Sequence, residues 1–107
     1  MAKLIVITEA RAKPGQREAI HRLFVRDLAP HARTNLDYEM LVWCDDEHDH
    51  DTFHIIEAFR ARQDFSVSRK ADWFMAYTEQ AKPLLLEEPH VSVTAPRWSK
   101  DGKPQVL

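Results

Sequence analysis

A chain of 107 residues can build one hydrophobic core, and 44% apolar with 30% charged residues is the balance of a folded globular domain. A net charge of -2 with scattered basic residues argues against a nucleic-acid surface, and no apolar run approaches the ~20 residues of a membrane span. The single cysteine, Cys44, excludes an internal disulfide and points to a reducing, cytoplasmic setting, while only two glycines argue against a nucleotide-cradling loop.

Residues 3–12 carry β-branched and apolar side chains on both alternating faces, which predicts a strand covered on both sides. The run Leu4-Ile-Val-Ile7 is too short for a signal-peptide core. Lys13-Pro14-Gly15-Gln16 then predicts a helix start, with Pro14 near the first turn. Ile20, Leu23, Phe24 and Leu28 recur at helical spacing, and the helix is expected to fade near Ala29-Pro30 or to kink there and run one further turn to Arg33. Tyr38–Cys44 and Thr52–Phe59 read as two strands of an antiparallel hairpin. A second helical region over 62–86 is expected to break near Lys70-Ala71, with Asp72 capping the next segment and Pro83 kinking its end. Within it Phe74, Tyr77, Ala81 and Leu84 or Leu85 share a face. His90–Pro96 alternates and predicts a fourth strand.

The order β-α-β-β-α-β predicts an α+β, ferredoxin-like protomer: a four-stranded antiparallel sheet with its helices on one face. One domain is expected over 1–98, followed by a tail at 99–107. The first three strands carry apolar residues on both faces, Met40 and Val42 against Leu41 and Trp43 for example. The face without helices therefore needs a cover, and the simplest is a second copy packed sheet to sheet as a homodimer, the tail reaching over the partner subunit.

Between the hairpin strands, Cys44–Asp51 (CDDEHDHD) holds five carboxylates and two histidines. A calcium loop beginning at Asp46 would need glycine where Asp51 stands, and would place its last ligand at Glu57, inside a strand. His48 and His50 can reach one transition metal, but a flexible loop lacks the fixed surroundings such a site needs. The stretch therefore reads as a solvated turn with no functional metal. Cys44 reads as a small buried residue, His54 as facing the partner sheet or a barrel edge, and His90 as facing solvent.

The segments ARAKPGQREA, Tyr38-Glu39, the acidic hairpin followed by DTFHIIEAF, and AKPLLLEEP together resemble the antibiotic biosynthesis monooxygenase family over residues 3–97. The resemblance implies dimeric α+β barrels of ferredoxin-like protomers, with a pocket between sheet and helices in each. The family includes cofactor-independent quinol and anthrone monooxygenases, haem-degrading enzymes and an isomerase. Where the anthrone oxygenases carry asparagine, tryptophan and tyrosine, this chain has Ile55, Phe59 and Phe65; their arginine falls near Thr78 or Glu79. Where the haem degraders carry asparagine, tryptophan and the iron-ligating histidine it has Thr8, Ser68 and Thr78, so haem degradation is not implied. The paired histidines of the quinol-monooxygenase-like members and of the isomerase read Ser68 and Trp73.

By strand parity Glu57 shares a face with Phe53, Ile55 and Phe59, the face expected to look into that pocket. A carboxylate set among aromatics can act as a general base; its alternative is a structural ion pair with an arginine such as Arg11. Trp73 and Tyr77, four apart on a helix, can form a stacking wall for a flat substrate, with Phe59 and Phe65 extending it and Thr8 and Ser68 as its polar groups. The expected activity is oxidation of a small quinol or anthrone by O2 without a cofactor. An isomerase of a small oxygenated metabolite and a non-catalytic ligand-binding dimer are the alternatives.

Overall fold

The computed structural model describes residues 2–100. Its strands β1 (Leu4–Arg11), β2 (Tyr38–Asp45), β3 (Thr52–Phe59) and β4 (His90–Thr94) form one sheet in the order β2-β3-β1-β4, every pair antiparallel. Helices α1 (Arg17–Leu23), α2 (Ala29–Thr34), α3 (Arg62–Lys70) and α4 (Asp72–Ala81) complete the β-α-β-β-α-β pattern, which is the ferredoxin-like arrangement. No helix among the described residues is long and apolar enough to cross a membrane. From residue 101 onward, the expected tail and its cover over a partner lie outside the described residues.

Register sorts the sheet faces. Leu4, Val6, Thr8 and Ala10 lie opposite Phe59, Glu57, Ile55 and Phe53, and this set faces the helices. Phe53, Ile55, Phe59, Ile20, Phe24, Leu28, Tyr77 and Ala81 are buried there. On the other face Ile7, Met40 and Val42 are 38%, 40% and 38% exposed, an apolar patch with no cover within the protomer.

The helical stretch after β1 starts a little later than expected and, at its far end, follows the second expected course, irregular at Pro30 with a further turn to Thr34. Pro14 and Gly15 form a turn ahead of the helix, Gln16 takes the cap position, and Gly15 holds φ +78, where a side chain would be strained. The helix does not fade at Pro30. A π-helical segment (Phe24–Leu28) joins α1 to α2, with Pro30 in the first turn of α2. Pro30 has no N–H to donate to Arg26 and its ring would press on that carbonyl; a wider turn relieves both. The same widening explains the buried stripe Ile20, Phe24, Leu28, Ala32 at steps of four. An ideal α-helix drifts about 40° per four residues, which would carry Ala32 off the core.

The second helical region breaks at Ala71, whose backbone is extended, so that Ala71 rather than Asp72 occupies the cap position and no side chain caps it. Asp72 sits one residue later, in the first turn of α4. A 3-10 turn (Lys82–Leu84) absorbs Pro83. Cys44 is half-buried rather than buried, because its side of β2 is the uncovered face.

Candidate active site

The acidic stretch is a tightly bonded turn. Asp46 Oδ2 accepts from the amides of His48 and Asp49 at 3.1 and 2.8 Å, and Asp51 Oδ1 accepts from the Gly15 amide at 3.0 Å. Arg17 reaches in from α1, and its Nη1 donates to the carbonyls of Asp49 and Thr52, both at 3.1 Å. Its Nε lies 3.5 Å from Asp45 Oδ1. A guanidinium thus already fills the place where a cation would meet those oxygens. Bonds from His54 and from the two amides hold the Asp46 carboxyl at about 2, below the usual carboxylate value. His54 lies on the uncovered face between Asp46 and Glu9, at 3.1 and 3.9 Å.

A cavity of about 560 Å³ lies between the sheet and the helices. Its wall is largely apolar, with Ile20, Leu28, Phe53, Ile55 and Phe74 prominent, while Lys82, Glu87 and Glu88 also border it. That is the composition of a small-molecule site. The polar residues lining it are Thr8, Glu57, Arg69, Tyr77 and Thr78, besides Lys82, Glu87 and Glu88. Glu57 comes from β3 and Arg69 from the last turn of α3, which crosses back over the end of that strand.

Arg69 meets Glu57 end-on: Nη2 donates to Oε1 at 2.6 Å and Nη1 to Oε2 at 3.0 Å. The Tyr38 hydroxyl donates to Oε2 at 3.2 Å. The other Nη1 hydrogen goes to Ser68 Oγ at 3.2 Å, and Ser68 donates to the Phe65 carbonyl at 2.7 Å. Arg69 Cζ lies 4.6 Å from the Phe65 ring centre and 4.3 Å from that of Phe74, within cation–π range. Burial, with the Glu57 charge beside it, pushes the Tyr38 phenol up to about 12. The same two causes push Tyr77 up, so its hydroxyl stays a donor. No hydrogen-bond partner meets the Tyr77 hydroxyl among the described residues, and it is not a sealed, orphaned atom either. It keeps access to the cavity that Tyr77 lines.

The seven residues singled out from sequence separate into two groups. Thr8, Glu57 and Tyr77 line the cavity. Phe59, Phe65, Ser68 and Trp73 stand behind it. Phe59 is fully buried against Tyr38 and Phe65, with ring centres 4.5 and 5.7 Å apart. Phe65 and Ser68 hold Arg69. Trp73 stacks on His31 at 5.2 Å and 6° between planes, with Tyr38 at 6.4 Å, so it does not share a wall with Tyr77; Phe74 takes that place.

The ion-pair partner of Glu57 is Arg69 and not Arg11. Glu57 pairs across the sheet with Val6, and Arg11 lies five residues along that strand, roughly 16 Å away. Arg11 instead meets Asp49 at 3.4 Å. Sequence reasoning passed over Arg69, although one signal was present: Phe65 lies four residues earlier, on the same helical face. Strict alternation along β2 would put Tyr38 on the face of Met40. A register shift between Tyr38 and Met40 places it opposite Phe59, on the helix side.

No protein-family model matches the chain, and no curated protein does. Solved structures do match. The Rv0793 protein of Mycobacterium tuberculosis superposes with a TM-score of 0.82 at 21% identity, covering 94% of this chain and 100% of that one. A protein of Nitrosomonas europaea named as a candidate antibiotic biosynthesis monooxygenase gives 0.82 at 14% identity, covering 89% and 99%. A further structure, named antibiotic biosynthesis monooxygenase, gives 0.79 at 18%, covering 87% and 97%. The chain has the ferredoxin-like fold of the antibiotic biosynthesis monooxygenase structures.

Proposed function

We propose that this protein is a cofactor-independent monooxygenase-like enzyme of the cytoplasm that oxidises a small, flat, reduced aromatic of the quinol or anthrone class with O2. The observation that carries this reading is a buried, hydrogen-bonded Glu57–Arg69 pair in the wall of an otherwise apolar cavity of about 560 Å³. Such a wall desolvates an aromatic ring, and the pair and Tyr77 offer polar groups to its oxygen substituents. Removing the substrate's proton gives an electron-rich anion that can pass an electron to O2. In this reading Glu57 is the base, Thr8 and Tyr77 contact substrate, and Phe59, Phe65, Ser68 and Trp73 keep the site's shape. Two protomers pack through the uncovered sheet faces, a role supported by exposed Ile7, Met40 and Val42.

One observation favours a second reading, a non-catalytic dimer that binds such a ligand. Both Glu57 oxygens already accept hydrogen bonds, which leaves a base little freedom. Oxygen uptake and quinone formation with a panel of quinols and anthrones separate the two. Turnover that Glu57→Gln abolishes supports the enzyme with Glu57 as base. Turnover that survives Glu57→Gln removes Glu57 from that role, and binding without oxygen uptake establishes the second reading.

A further inference from the structure

The Glu57–Arg69 pair presents its two ends unequally to the cavity. Both line it, but the Glu57 side chain is 4% exposed and that of Arg69 24%, so the guanidinium is the more accessible of the two. Glu57 takes the end edge, through one hydrogen of each Nη, and Ser68 takes the second Nη1 hydrogen. The side edge, formed by Nε–H and the second Nη2–H, has no acceptor among the described residues. Two parallel N–H groups on a planar edge are the fork that recognises an oxyanion. Tyr77, kept protonated by burial, adds an O–H from the same cavity.

We propose that Arg69 is the specificity-determining residue of this cavity and that its side edge takes the oxygen of an aromatic oxyanion, a phenolate or enolate, with Glu57 and Tyr38 as positioning residues behind it. The inference deepens the proposed function and rests on its reading of the cavity as the ligand site. It moves the centre of the chemistry from proton removal by Glu57 to stabilisation of the anion by Arg69. The pair carries no net charge and Glu87 and Glu88 outnumber Lys82 in the lining. A preference for an anion therefore has to come from the local fork and not from the field of the whole cavity.

The test uses 4-nitrophenol, whose phenolate absorbs apart from its phenol, titrated through its ionisation with and without the full-length protein. Bound probe is expected to ionise about one pH unit below free probe, a roughly tenfold preference for phenolate over phenol. In the double variant Arg69→Met/Glu57→Gln, which leaves no buried unpaired charge, the midpoint should return to the free value. Tyr77→Phe should recover part of that change, and Glu87→Gln/Glu88→Gln should retain the preference. Bound probe that ionises at or above the free value overturns the proposal. So does a lowered midpoint that survives the double variant, or failure of the cavity to bind the probe at all. If the double variant does not fold, competition decides: 4-nitroanisole, which cannot ionise, should displace bound 4-nitrophenolate weakly, and equal displacement overturns the proposal. Absent oxygen uptake with every quinol would sink the proposed enzyme while leaving the phenolate preference intact, so the two failures are distinguishable.

Discussion

Removing Arg69 alone should cost far more stability than removing it together with Glu57. In Arg69→Met the Glu57 carboxylate loses two charge-assisted hydrogen bonds, at 2.6 and 3.0 Å, and keeps only the Tyr38 hydroxyl at 3.2 Å. At 4% side-chain exposure, water can replace little of what is lost. Breaking a buried pair by deleting one partner costs about 3–5 kcal/mol, whereas exchanging the whole pair for apolar residues of similar volume is often neutral. Arg69→Met is therefore expected to lose about 3–5 kcal/mol, and Arg69→Met/Glu57→Leu to lie within about 1–2 kcal/mol of the native chain. In a domain of this size the single variant should melt roughly 15–30 °C lower. Urea unfolding followed by tryptophan fluorescence, at one fixed protomer concentration, measures the cycle. A loss below about 1 kcal/mol in the single variant, or a double variant at the sum of the two singles, would show that the pair is not a buried, coupled unit.

Three more outcomes can be checked. The Tyr38 phenol, held at about 12 against an ordinary 10.0, favours the folded state fully below pH 10 and loses that contribution as pH rises from 10 through 12. Spectrophotometric titration should show it ionising late, and Glu57→Gln should bring its midpoint down. Arg17→Ala strips the acidic turn of its guanidinium and should destabilise the chain by about 2 kcal/mol. Amide exchange at Gly15 and Ala12, which bond to Asp51, should speed up with it. The native chain is expected to sediment as a dimer and Val42→Lys, which places a charge on the uncovered sheet face, as a protomer; a native chain that sediments as a protomer would refute that pairing.

Much of this molecule was legible from local pattern because local chemistry decides it. The period of two along Thr52–Phe59 put Phe53, Ile55, Glu57 and Phe59 on one face, and the sheet keeps them there. Alternating and helical spacings, read in order, gave the ferredoxin-like arrangement, since amphipathic elements in that succession have few other ways to bury their apolar sides. The acidic stretch could be placed as a turn, but not that Arg17 would be the cation within it.

Tertiary structure decided the rest, and the reasons are specific. A carboxylate on a strand does not name its partner: Arg69 reaches Glu57 only because α3 folds back over the end of β3, while Arg11 is held roughly 16 Å along the sheet by register. Tyr38 faces Glu57 because the ladder slips by one residue beside it, and alternation cannot reveal a slip. Trp73 and Tyr77 share a helix but not a wall, since a cavity is bounded by several elements and its outline is set by their packing. Sequence alone determined which face most of the β1 and β3 side chains take, but not the face of Tyr38 or the burial of Cys44. The fold determined which buried groups meet, because hydrogen bonds and ion pairs form across distances that no single element spans.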